Sequence, residues 1–492
     1  MPLAHRVLPP APITTYDHYL TARGGRGWEA ARQLSPDALI ERITESGLRG
    51  RGGAGFPTGV KWATVAANHS DAAPTSVVVN GAEGEPSTLK DRMVLRTNPF
   101  EVLEGALIAA RAVRATQIIV AIKESFRTEF AIVQRAVAEL EQAGWFEGID
   151  VRIYQGPSAY LLGEETALLE AIDGRQPFPR LAPPFRRGVF EVVEDQSDVD
   201  SGSGLSAHVE MAGADHDSYA PPALVDNVET LANVPRIIWR GSEWFRDLGT
   251  ADSPGTVICT FIGAVQNPGV GEVAMGTTLR EAIELVAGGP RDDRSIVAVL
   301  PGVSNAVITA SQLDTPLTYE AVTAVGSGLG SASFAVYDDQ SDLAAVAAGA
   351  SRFLFVESCG QCTPCKTDGR TISESLDRII ANEATATDVD RLRSALDTVA
   401  DGARCNLARQ QEIVTRSLLD AFPQAVEVHI ARSAPAVARE LIAELIDIND
   451  DSVVELDESF PDRQPDWTYD PIDSGRTPVE RFTDHRAESP VG

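Results

Sequence analysis

The chain has 492 residues, too many for one hydrophobic core, so it is expected to form several domains. Its 71 Asp and Glu outweigh 42 Lys and Arg to give a formal charge of −29, which argues against nucleic acid or an anionic membrane surface as a direct partner. Hydrophobic residues make up an ordinary 43%, and no run approaches about 18 uncharged apolar residues, so direct membrane insertion is not expected.

The first half of the chain alternates between strand and helix patterns. Ser35-Pro36-Asp37 is typical of a helix start, and this helix should run to about Ser46 and end at Gly47. Buried strands are predicted at 75–80, 117–123 and 151–154, and amphipathic helices at 101–113 and 126–144. This alternation predicts an α/β layer with a largely parallel sheet.

The second half changes character several times. Residues 191–220 are rich in acids, Ser and Gly and predict a solvated insertion, and a helix follows at 227–240. Short strands with one helix at 279–286 predict a small α+β module, and the pattern is then helical from 341 to 422. We therefore predict an N-terminal extension (1–30), an α/β domain with the insertion (31–250), an α+β module (251–337), a helical domain (338–435) and an acidic disordered tail (449–492).

Three cysteines stand close together in Cys359-Gly-Gln-Cys362-Thr-Pro-Cys365, and Cys405 follows well downstream. Three closely spaced thiolates and one remote thiolate can hold the four corners of a [4Fe–4S] cluster, which moves single electrons. Structural zinc is the first alternative, although it usually takes two separated C-x-x-C pairs. Unliganded core thiols are the second alternative.

The fifth cysteine, Cys259, lies in a β-branched and aromatic stretch that predicts a strand, and a small core residue is its simplest interpretation. Four cysteines gathered in one ligand set do not make a disulfide framework. The first ten residues also lack the apolar core of a secretory signal. A cytoplasmic location is therefore expected, with attachment to the periphery of a membrane complex as a variant.

A glycine-rich run covers residues 47–59, with Arg49, Arg51 and Lys61 around it and Phe56 within it. Glycines let a backbone approach a ligand closely, and the cations suit a phosphate while Phe56 offers a stacking face. A helix rather than a strand precedes the run, so it is not the usual dinucleotide fingerprint. A flexible connector is the alternative.

Two acidic motifs could face the same ligand. Asn80-Gly-Ala-Glu83-Gly-Glu85 follows a predicted buried strand, at the end where open α/β sheets bind ligands. Gly163-Glu164-Glu165 opens a predicted helix. The alternatives are an acidic surface turn for the first motif and a favourable helix start for the second.

Four motifs occur in order along the chain: the glycine-rich run at 47–59, Gly-Glu-Glu-Thr-Ala-Leu at 163–168, Asn-Val-Glu-Thr-Leu at 227–231 and Glu-Ser-Cys-Gly-Gln-Cys-Thr-Pro-Cys at 357–365. They closely resemble those of the NADH-binding flavoprotein subunit of respiratory complex I and of the related diaphorase subunits of NAD-linked hydrogenases and formate dehydrogenases. The resemblance covers roughly residues 25–435. It implies a Rossmann-like flavin domain, a β-grasp (ubiquitin-like) domain and a C-terminal helical bundle with an iron–sulfur cluster.

The resemblance also implies cofactors, partners and site residues. The cofactors would be FMN, a [4Fe–4S] cluster and NAD(H), and the partners a thioredoxin-like [2Fe–2S] subunit and a larger Fe–S or catalytic subunit. Glu85, Tyr160 and Glu164 would be catalytic. The cofactors would be bound by Gly50, Arg51, Gly52, Gly53, Ala54, Gly55, Phe56, Lys61, Asn80, Glu83, Glu85, Tyr160, Gly163, Glu164, Glu165, Phe185, Asp226, Asn227 and Thr230. Cys359, Cys362, Cys365 and Cys405 would hold the cluster.

Four positions depart from the family pattern, and all of them belong to the nucleotide sites. Ala82 replaces an acid at the flavin, Asp226 replaces an Asn, Thr64 replaces an aromatic residue, and Ala182 replaces a Lys. The predicted function is an NADH dehydrogenase subunit that oxidises NADH, or reduces NAD, through FMN and passes single electrons to the cluster. The alternative is an electron-transfer or scaffold subunit with a degenerate flavin or NADH site.

Overall fold

A computed structural model describes residues 2–69, 75–189, 221–291, 294–449, 451–465 and 467. The acidic insertion predicted at 191–220 lies outside the described residues, and so does most of the predicted tail.

The described residues form helices and strands that we number in chain order. The helices are α1 (Tyr16–Thr21), α2 (Arg26–Ala31), α3 (Pro36–Ser46), α4 (Thr58–Ala67), α5 (Lys90–Thr97), α6 (Pro99–Val113), α7 (Arg127–Gln142), α8 (Glu165–Ile172), α9 (Val228–Arg240), α10 (Ser242–Arg246), α11 (Leu279–Ala287), α12 (Tyr319–Ala324), α13 (Leu343–Val356), α14 (Thr363–Ile380), α15 (Ala386–Thr398), α16 (Leu407–Ala421) and α17 (Pro423–Ile430). The strands are β1 (Ser76–Gly81), β2 (Gln117–Lys123), β3 (Asp150–Gly156), β4 (Ala223–Asn227), β5 (Thr256–Gly263), β6 (Gly269–Ala274), β7 (Ile296–Leu300), β8 (Ile308–Thr309), β9 (Ser333–Asp338), β10 (Leu445–Ile448) and β11 (Val454–Leu456). Short 3₁₀ turns lie at Tyr160–Gly163, Ala310–Gln312 and Phe460–Asp462.

The first domain is a four-stranded parallel sheet in the order β3-β2-β1-β4, with helices on both faces. Val77 and Val79 point into the main core with α6 and α9, and Val78 points into a smaller core with α8. Because both faces are covered, the strands are continuous hydrophobic runs rather than alternating ones. The predicted Rossmann-like α/β layer is confirmed.

The second domain is a mixed five-stranded sheet in the order β6-β5-β9-β7-β8, with α11 packed against it. The two central strands β5 and β9 are parallel, and their outer neighbours β6 and β7 are antiparallel to them. This order and direction are those of a β-grasp sheet, as predicted. Helix α11 begins with a capping box between Thr278 and Glu281.

The third domain is a bundle of α13 to α17, and the chain then returns over it. The cysteine run joins the end of α13 to the first turn of α14, and Cys405 lies two residues before α16. After α17, the strands β10 and β11 pair as an antiparallel hairpin. The disorder predicted for 449–492 is therefore wrong for residues 451–465 and 467, because Val454 and Leu456 pack against the core of the bundle.

Candidate functional site

The glycine-rich run is held in place by the second domain and by α9. The Gly50 N–H donates to the Phe56 carbonyl (2.8 Å), which closes the loop on itself. The Arg51 N–H donates to Thr230 Oγ1 (2.8 Å), and its guanidinium donates to the Tyr319 hydroxyl (3.0 Å). Arg51, which was predicted to attract a phosphate, thus fixes the loop. The open part of the loop, Gly52 to Ala54, lines a cavity.

Gly53 shows why the loop needs glycine here. Its φ of +130° is one that residues with a side chain rarely adopt. A Cβ on Gly53 would have no heavy atom nearer than 3.9 Å, so it would project into open space rather than into packing. The backbone therefore lies bare beside the cavity, as close approach of a flavin or a phosphate requires.

Two asparagines predicted to bind a cofactor lie side by side at the carboxyl edge of the parallel sheet. Asn80 on β1 is the register partner of Asn227 on β4. Asn80 Nδ2 donates to the Gly163 carbonyl (2.9 Å), which brings the turn before α8 to the same edge. This edge is where ligands bind in open α/β sheets.

A buried ionic network lies beneath this edge. Lys90 Nζ lies 2.7 Å from Asp91 Oδ1 and 3.0 Å from Glu229 Oε2, and it donates to Asn227 Oδ1 (3.2 Å). Asn227 Nδ2 in turn donates to Asp91 Oδ2 (2.7 Å). Burial works against the charge of Lys90, but the two carboxylates outweigh it and raise the pKa of Lys90. Burial raises the pKa of Asp91 to about 6 although Lys90 opposes this shift.

A second ion pair fixes Glu83 in the same region. Arg92 Nε donates to Glu83 Oε2 (2.8 Å), and Glu83 Oε1 accepts from the Asp91 N–H (3.0 Å) and from Thr88 Oγ1 (3.0 Å). Burial alone would raise the pKa of Glu83, but Arg92 outweighs it and lowers that pKa. Glu83 is therefore held as a carboxylate at the cavity wall.

Glu85 and Tyr160 form the opposite wall. The Tyr160 hydroxyl donates to Glu85 Oε2 (2.8 Å) and lies 3.2 Å from Gln410 Oε1. Glu85 Oε1 also accepts from the Val303 N–H (2.5 Å), which ties this carboxyl to the second domain. Burial raises the pKa of Glu85, and burial together with the Glu85 carboxylate raises the pKa of Tyr160 well above its usual range.

All three domains contribute to one cavity with a volume of about 470 Å³. Ten residues predicted to bind a cofactor line it, namely Gly52, Gly53, Ala54, Asn80, Glu83, Glu85, Tyr160, Gly163, Glu164 and Asn227. A cavity of this size, with bare glycine backbone on one side and hydrogen-bonding side chains on the other, fits a flavin nucleotide.

Other predicted residues lie behind or beside this cavity. Lys61 Nζ pairs with Glu165 Oε2 (2.9 Å) and donates to the Val225 carbonyl (2.6 Å). Asp226 accepts from Trp62 Nε1 (2.7 Å), and burial raises the pKa of Asp226. Gly50, Arg51, Gly55, Phe56, Lys61, Glu165, Phe185, Asp226 and Thr230 are not among the lining residues. Their predicted contacts to a nucleotide remain predictions.

Glu164 lines the cavity, but its carboxylate also caps the N-terminus of α8. As the N-cap of α8, Glu164 Oε2 accepts from the Ala167 N–H (2.8 Å) and from Thr166 Oγ1 (2.6 Å). The alternative of a favourable helix start therefore describes this carboxylate well. Phe56, in contrast, is 51% exposed and leaves its ring free to stack on a ligand.

The sequence interpretation missed several lining residues. Lys90 and Asp91 follow the Asn80 motif closely, and two adjacent opposite charges just after a predicted ligand-binding motif could have indicated them. The contributions of the other domains carry no local signal, because Ser304, Asn305, Gly330, Ser331, Asn406 and Gln410 reach the cavity only through domain packing.

The four cysteines of the motif line a second, much smaller cavity. Burial, followed by the neighbouring thiolates, raises the pKa of Cys365 to about 12, and burial raises that of Cys405 to about 12. Thiols in this setting need bound metal to ionise. Among the described residues, no three His, Cys, Asp or Glu side chains are close enough to hold a single metal ion. Four thiols around one small cavity supply the donor set that a [4Fe–4S] cluster takes.

The two cavities share a wall. Leu161, Cys405 and Leu407 line both the large cavity and the thiol cavity. A cofactor in one would therefore lie within a side chain's width of a cluster in the other. The described part of the chain contains no helix long and apolar enough to cross a membrane.

Comparison with known proteins agrees with this arrangement. A family model of the Nuo51 FMN-binding domain matches residues 43–236, one of the NADH-ubiquinone oxidoreductase-F iron–sulfur binding region matches 345–429, and one of the SLBB domain matches 260–306. The fold and the two cavities thus define an FMN-binding, iron–sulfur electron-transfer protein.

Relatives narrow this class to a family. The second F-type subunit of the NADH-quinone oxidoreductase of Rhizobium meliloti is 36% identical over 83% of this chain and 94% of its own length. The HndC component of the NADP-reducing hydrogenase of Solidesulfovibrio fructosivorans is 33% identical over 84% of this chain and 80% of its own length. The chain belongs to the family of F-type subunits of NADH-quinone oxidoreductase.

A solved structure agrees with this assignment. The NAD⁺-reducing [NiFe]-hydrogenase in its H₂-reduced state contains a chain with 30% identity and a TM-score of 0.68. The match covers 81% of this chain but 63% of the hydrogenase chain, so this chain spans a little under two thirds of that relative.

Proposed function

We propose that this chain oxidises NADH, or reduces NAD, through FMN and passes electrons singly to a [4Fe–4S] cluster. The observation that carries the proposal is the wall shared by the large cavity and the thiol cavity at Leu161, Cys405 and Leu407. Bound FMN would supply the exchange between a hydride and single electrons, which nicotinamide and a cubane cannot make directly.

The residues of the large cavity have separate tasks in this proposal. The bare backbone at Gly52 and Gly53 approaches the flavin, and Asn80 and Asn227 fix it at the sheet edge. Glu85, whose pKa is raised by burial, accepts from the Tyr160 hydroxyl and holds it at the cavity. The carboxylate of Glu83 and the ionic network of Lys90 hold the wall opposite Glu85 and Tyr160 in place.

The coenzyme choice follows from Glu165. This residue is half-exposed at the start of α8, where a carboxylate can accept from an adenosine 2′-hydroxyl and repel a 2′-phosphate. We expect NADH to be preferred over NADPH. Glu165→Gln should narrow this preference, mainly by raising kcat/KM for NADPH. The kcat/KM values for both coenzymes with an artificial acceptor measure this. An unchanged ratio with a lower melting point would leave Glu165 only a helix-stabilising role.

The chain is expected to work inside a larger redox complex. It has one set of cluster cysteines, so electrons must leave to another protein. Both relatives are named as subunits. A thioredoxin-like [2Fe–2S] subunit and a larger Fe–S or catalytic subunit are the partners we propose, in a cytoplasmic location that suits five free thiols.

Purification of the chain with its cofactors tests the function. FMN released by heat and measured by fluorescence, about four irons per chain, and reduction of an artificial acceptor by NADH are expected together. A chain that holds iron but no flavin would instead support the degenerate scaffold, which the loss of an acid at Ala82 favours.

A further inference from the structure

The segment that follows the β10–β11 hairpin returns to the cysteine run. The iron–sulfur family model ends at residue 429, so this segment lies beyond the part of the chain that it matches. Three of its side chains, Phe460, Arg463 and Trp467, contact the loop that carries Cys359 and Cys362 or the wall between the two cavities. We call these three residues the C-terminal clamp.

Trp467 is buried against the cysteine loop from outside. Its Nε1 donates to Ser358 Oγ (3.0 Å), and the Ser358 hydroxyl donates to the Phe355 carbonyl (2.8 Å). The indole ring makes an edge contact with Phe355 at 5.7 Å between centroids. Lys366 Nζ lies 4.5 Å and Arg370 lies 5.7 Å from the ring centroid, so two cations of α14 hold the ring by cation–π contact.

Gly360, next to Cys359, is shaped to receive this ring. It has a φ of +72°, and a Cβ there would lie 2.5 Å from Trp467 Cδ1. The ring thus occupies the space that a side chain would need. Trp467 itself does not line the thiol cavity, so it acts on the ligands through the loop.

Arg463 and Phe460 hold the wall between the two cavities. Arg463 Nη1 pairs with Glu357 Oε1 (3.1 Å), while Glu357 Oε2 accepts from the Tyr160 N–H (2.9 Å). Phe460 stacks on Phe353 at 5.1 Å between centroids, and Phe353 makes an edge contact with Tyr160 at 5.3 Å. Tyr160 lines the large cavity, so the clamp reaches both sites.

We propose that the C-terminal clamp positions the Cys359–Cys362 loop and so controls how fast the cluster can be lost. The inference rests on the proposed [4Fe–4S] cluster. A cubane needs three thiolates of this run in fixed places, and a chelator can reach its irons only when the loop opens locally. Contacts that hold the loop closed therefore slow the loss of iron, and Trp467 is a positioning residue.

The rate at which a ferrous chelator removes iron from the full-length holoprotein, without oxygen, tests the clamp. Trp467→Ala should speed the loss about tenfold, because it removes a hydrogen bond and the ring contacts together. Trp467→Phe keeps a ring against Lys366 and should fall between wild type and Trp467→Ala. Trp239→Ala, in the α/β domain, is the matched control and should leave the rate of iron loss unchanged.

A second measurement tests the clamp in protein without the cluster. In protein stripped of iron, Trp467→Ala should raise the alkylation rate of Cys359, measured by mass spectrometry, while Cys259, buried in β5, stays protected. If Trp467→Ala does not fold, Arg463→Gln replaces it and should speed iron loss about threefold, since it removes one partly exposed ion pair.

Equal iron-loss rates in wild type and the clamp variants, all with full initial iron, would overturn the clamp. A wild-type chain that takes up no iron on reconstitution would instead overturn the proposed cluster. The two failures are therefore distinguishable in one series of measurements.

Discussion

Cys405 is the residue at which the two cavities meet, since it lines both of them. It lies two residues before α16, far along the chain from the other three thiols. Any cluster in the thiol cavity would therefore be held on this side by a ligand that also faces the flavin side.

We predict that Cys405→Ser loses or damages the cluster, because a hydroxyl is a poor ligand for iron in a sulfur site. Flavin reduction by NADH should persist, since it precedes the cluster. Iron content and the rate of flavin bleaching by NADH measure the two effects. Cys259→Ser, in the core of the second domain, is the control and should keep its iron. Full iron in Cys405→Ser would remove Cys405 from the ligand set.

Glu104 is a buried carboxyl outside both cavities, and burial changes its pKa. Its carboxyl on α6 accepts from the Trp28 N–H (2.7 Å), the Gly25 N–H (2.8 Å) and the Tyr19 hydroxyl, which ties the N-terminal helices to the α/β domain. Burial nevertheless raises the pKa of Glu104 to about 7, although these hydrogen bonds oppose the shift.

The raised pKa of Glu104 makes stability depend on pH. Between the ordinary pKa of 4.5 and about 7, the folded chain holds a proton that the unfolded chain has released. The contribution of this group is therefore largest below pH 4.5 and falls by up to roughly 3 kcal/mol as the pH rises to 7. We predict that Glu104→Gln loses this dependence.

Urea unfolding at several pH values measures the difference between Glu104→Gln and wild type. The variant should gain on wild type as the pH rises from 4.5 to 7. Glu141→Gln, at an exposed site on α7, is the control and should run parallel to wild type. A constant difference for Glu104→Gln would show that the carboxyl is ionised throughout.

At the scale of elements, the segment around β10 joins the helical domain to the α/β domain. Lys123 at the end of β2 is buried and pairs with Glu444 (3.1 Å). Arg96 on α5 pairs with Asp447 (2.7 Å) and with Glu129 (2.5 Å). Arg92 adds a hydrogen bond to the Ile446 carbonyl (2.8 Å). The short segment from Glu444 to Asp447 thereby supplies ionic contacts to the α/β domain.

We predict that Glu444→Ala lowers the free energy of unfolding by about 3 kcal/mol, because it leaves the ammonium of Lys123 buried without its carboxylate. Asp447→Ala, in the neighbouring strand β10, is the matched control. It should cost less than about 1 kcal/mol, since Asp447 is partly exposed and Arg96 keeps Glu129. Denaturant midpoints compare the two, and equal losses would contradict the role of burial.

At the scale of the whole molecule, the large cavity is built from all three domains. The glycine loop and Asn80 come from the first, Ser304 and Ser331 from the second, and Gln410 from the third. A ligand in this cavity touches each domain and stabilises them together, by about 2.7 kcal/mol at a free concentration roughly one hundred times its dissociation constant.

We predict that the chain unfolds in a single transition when FMN is added to flavin-free protein, and that FMN raises the melting temperature of this transition. Riboflavin, which lacks the phosphate, should give a smaller shift at equal concentration. Calorimetry resolves the transitions. Separate transitions of which only one responds to FMN would show that the cavity belongs to a single domain.

Local patterns predicted the elements with high fidelity. Ser35 caps α3 and Gly47 ends it at a φ of +69°, as proposed from residue type alone. The bounds of β2 agree with the predicted 117–123, because a continuous apolar run between turn residues is a local signal. The helix α4, in contrast, begins inside the glycine-rich motif and was not expected. The strand β11 in the predicted tail was missed because the acidic composition there indicates solvation, whereas Val454 and Leu456 pack against the bundle.

The sequence by itself determined the chemistry of this protein: four thiols for a cluster, a glycine loop, and polar residues after buried strands. Those features depend on residue type and spacing. Only the tertiary structure decided which side chains share a cavity. Lys61 and Lys90 are both lysines near glycine-rich motifs, yet Lys61 pairs with Glu165 and does not line the cavity, whereas Lys90 lies in the cavity wall. That difference arises because Glu165 for Lys61, and Glu229 and Asn227 for Lys90, are partners distant in sequence, and no local pattern records which side chains will meet.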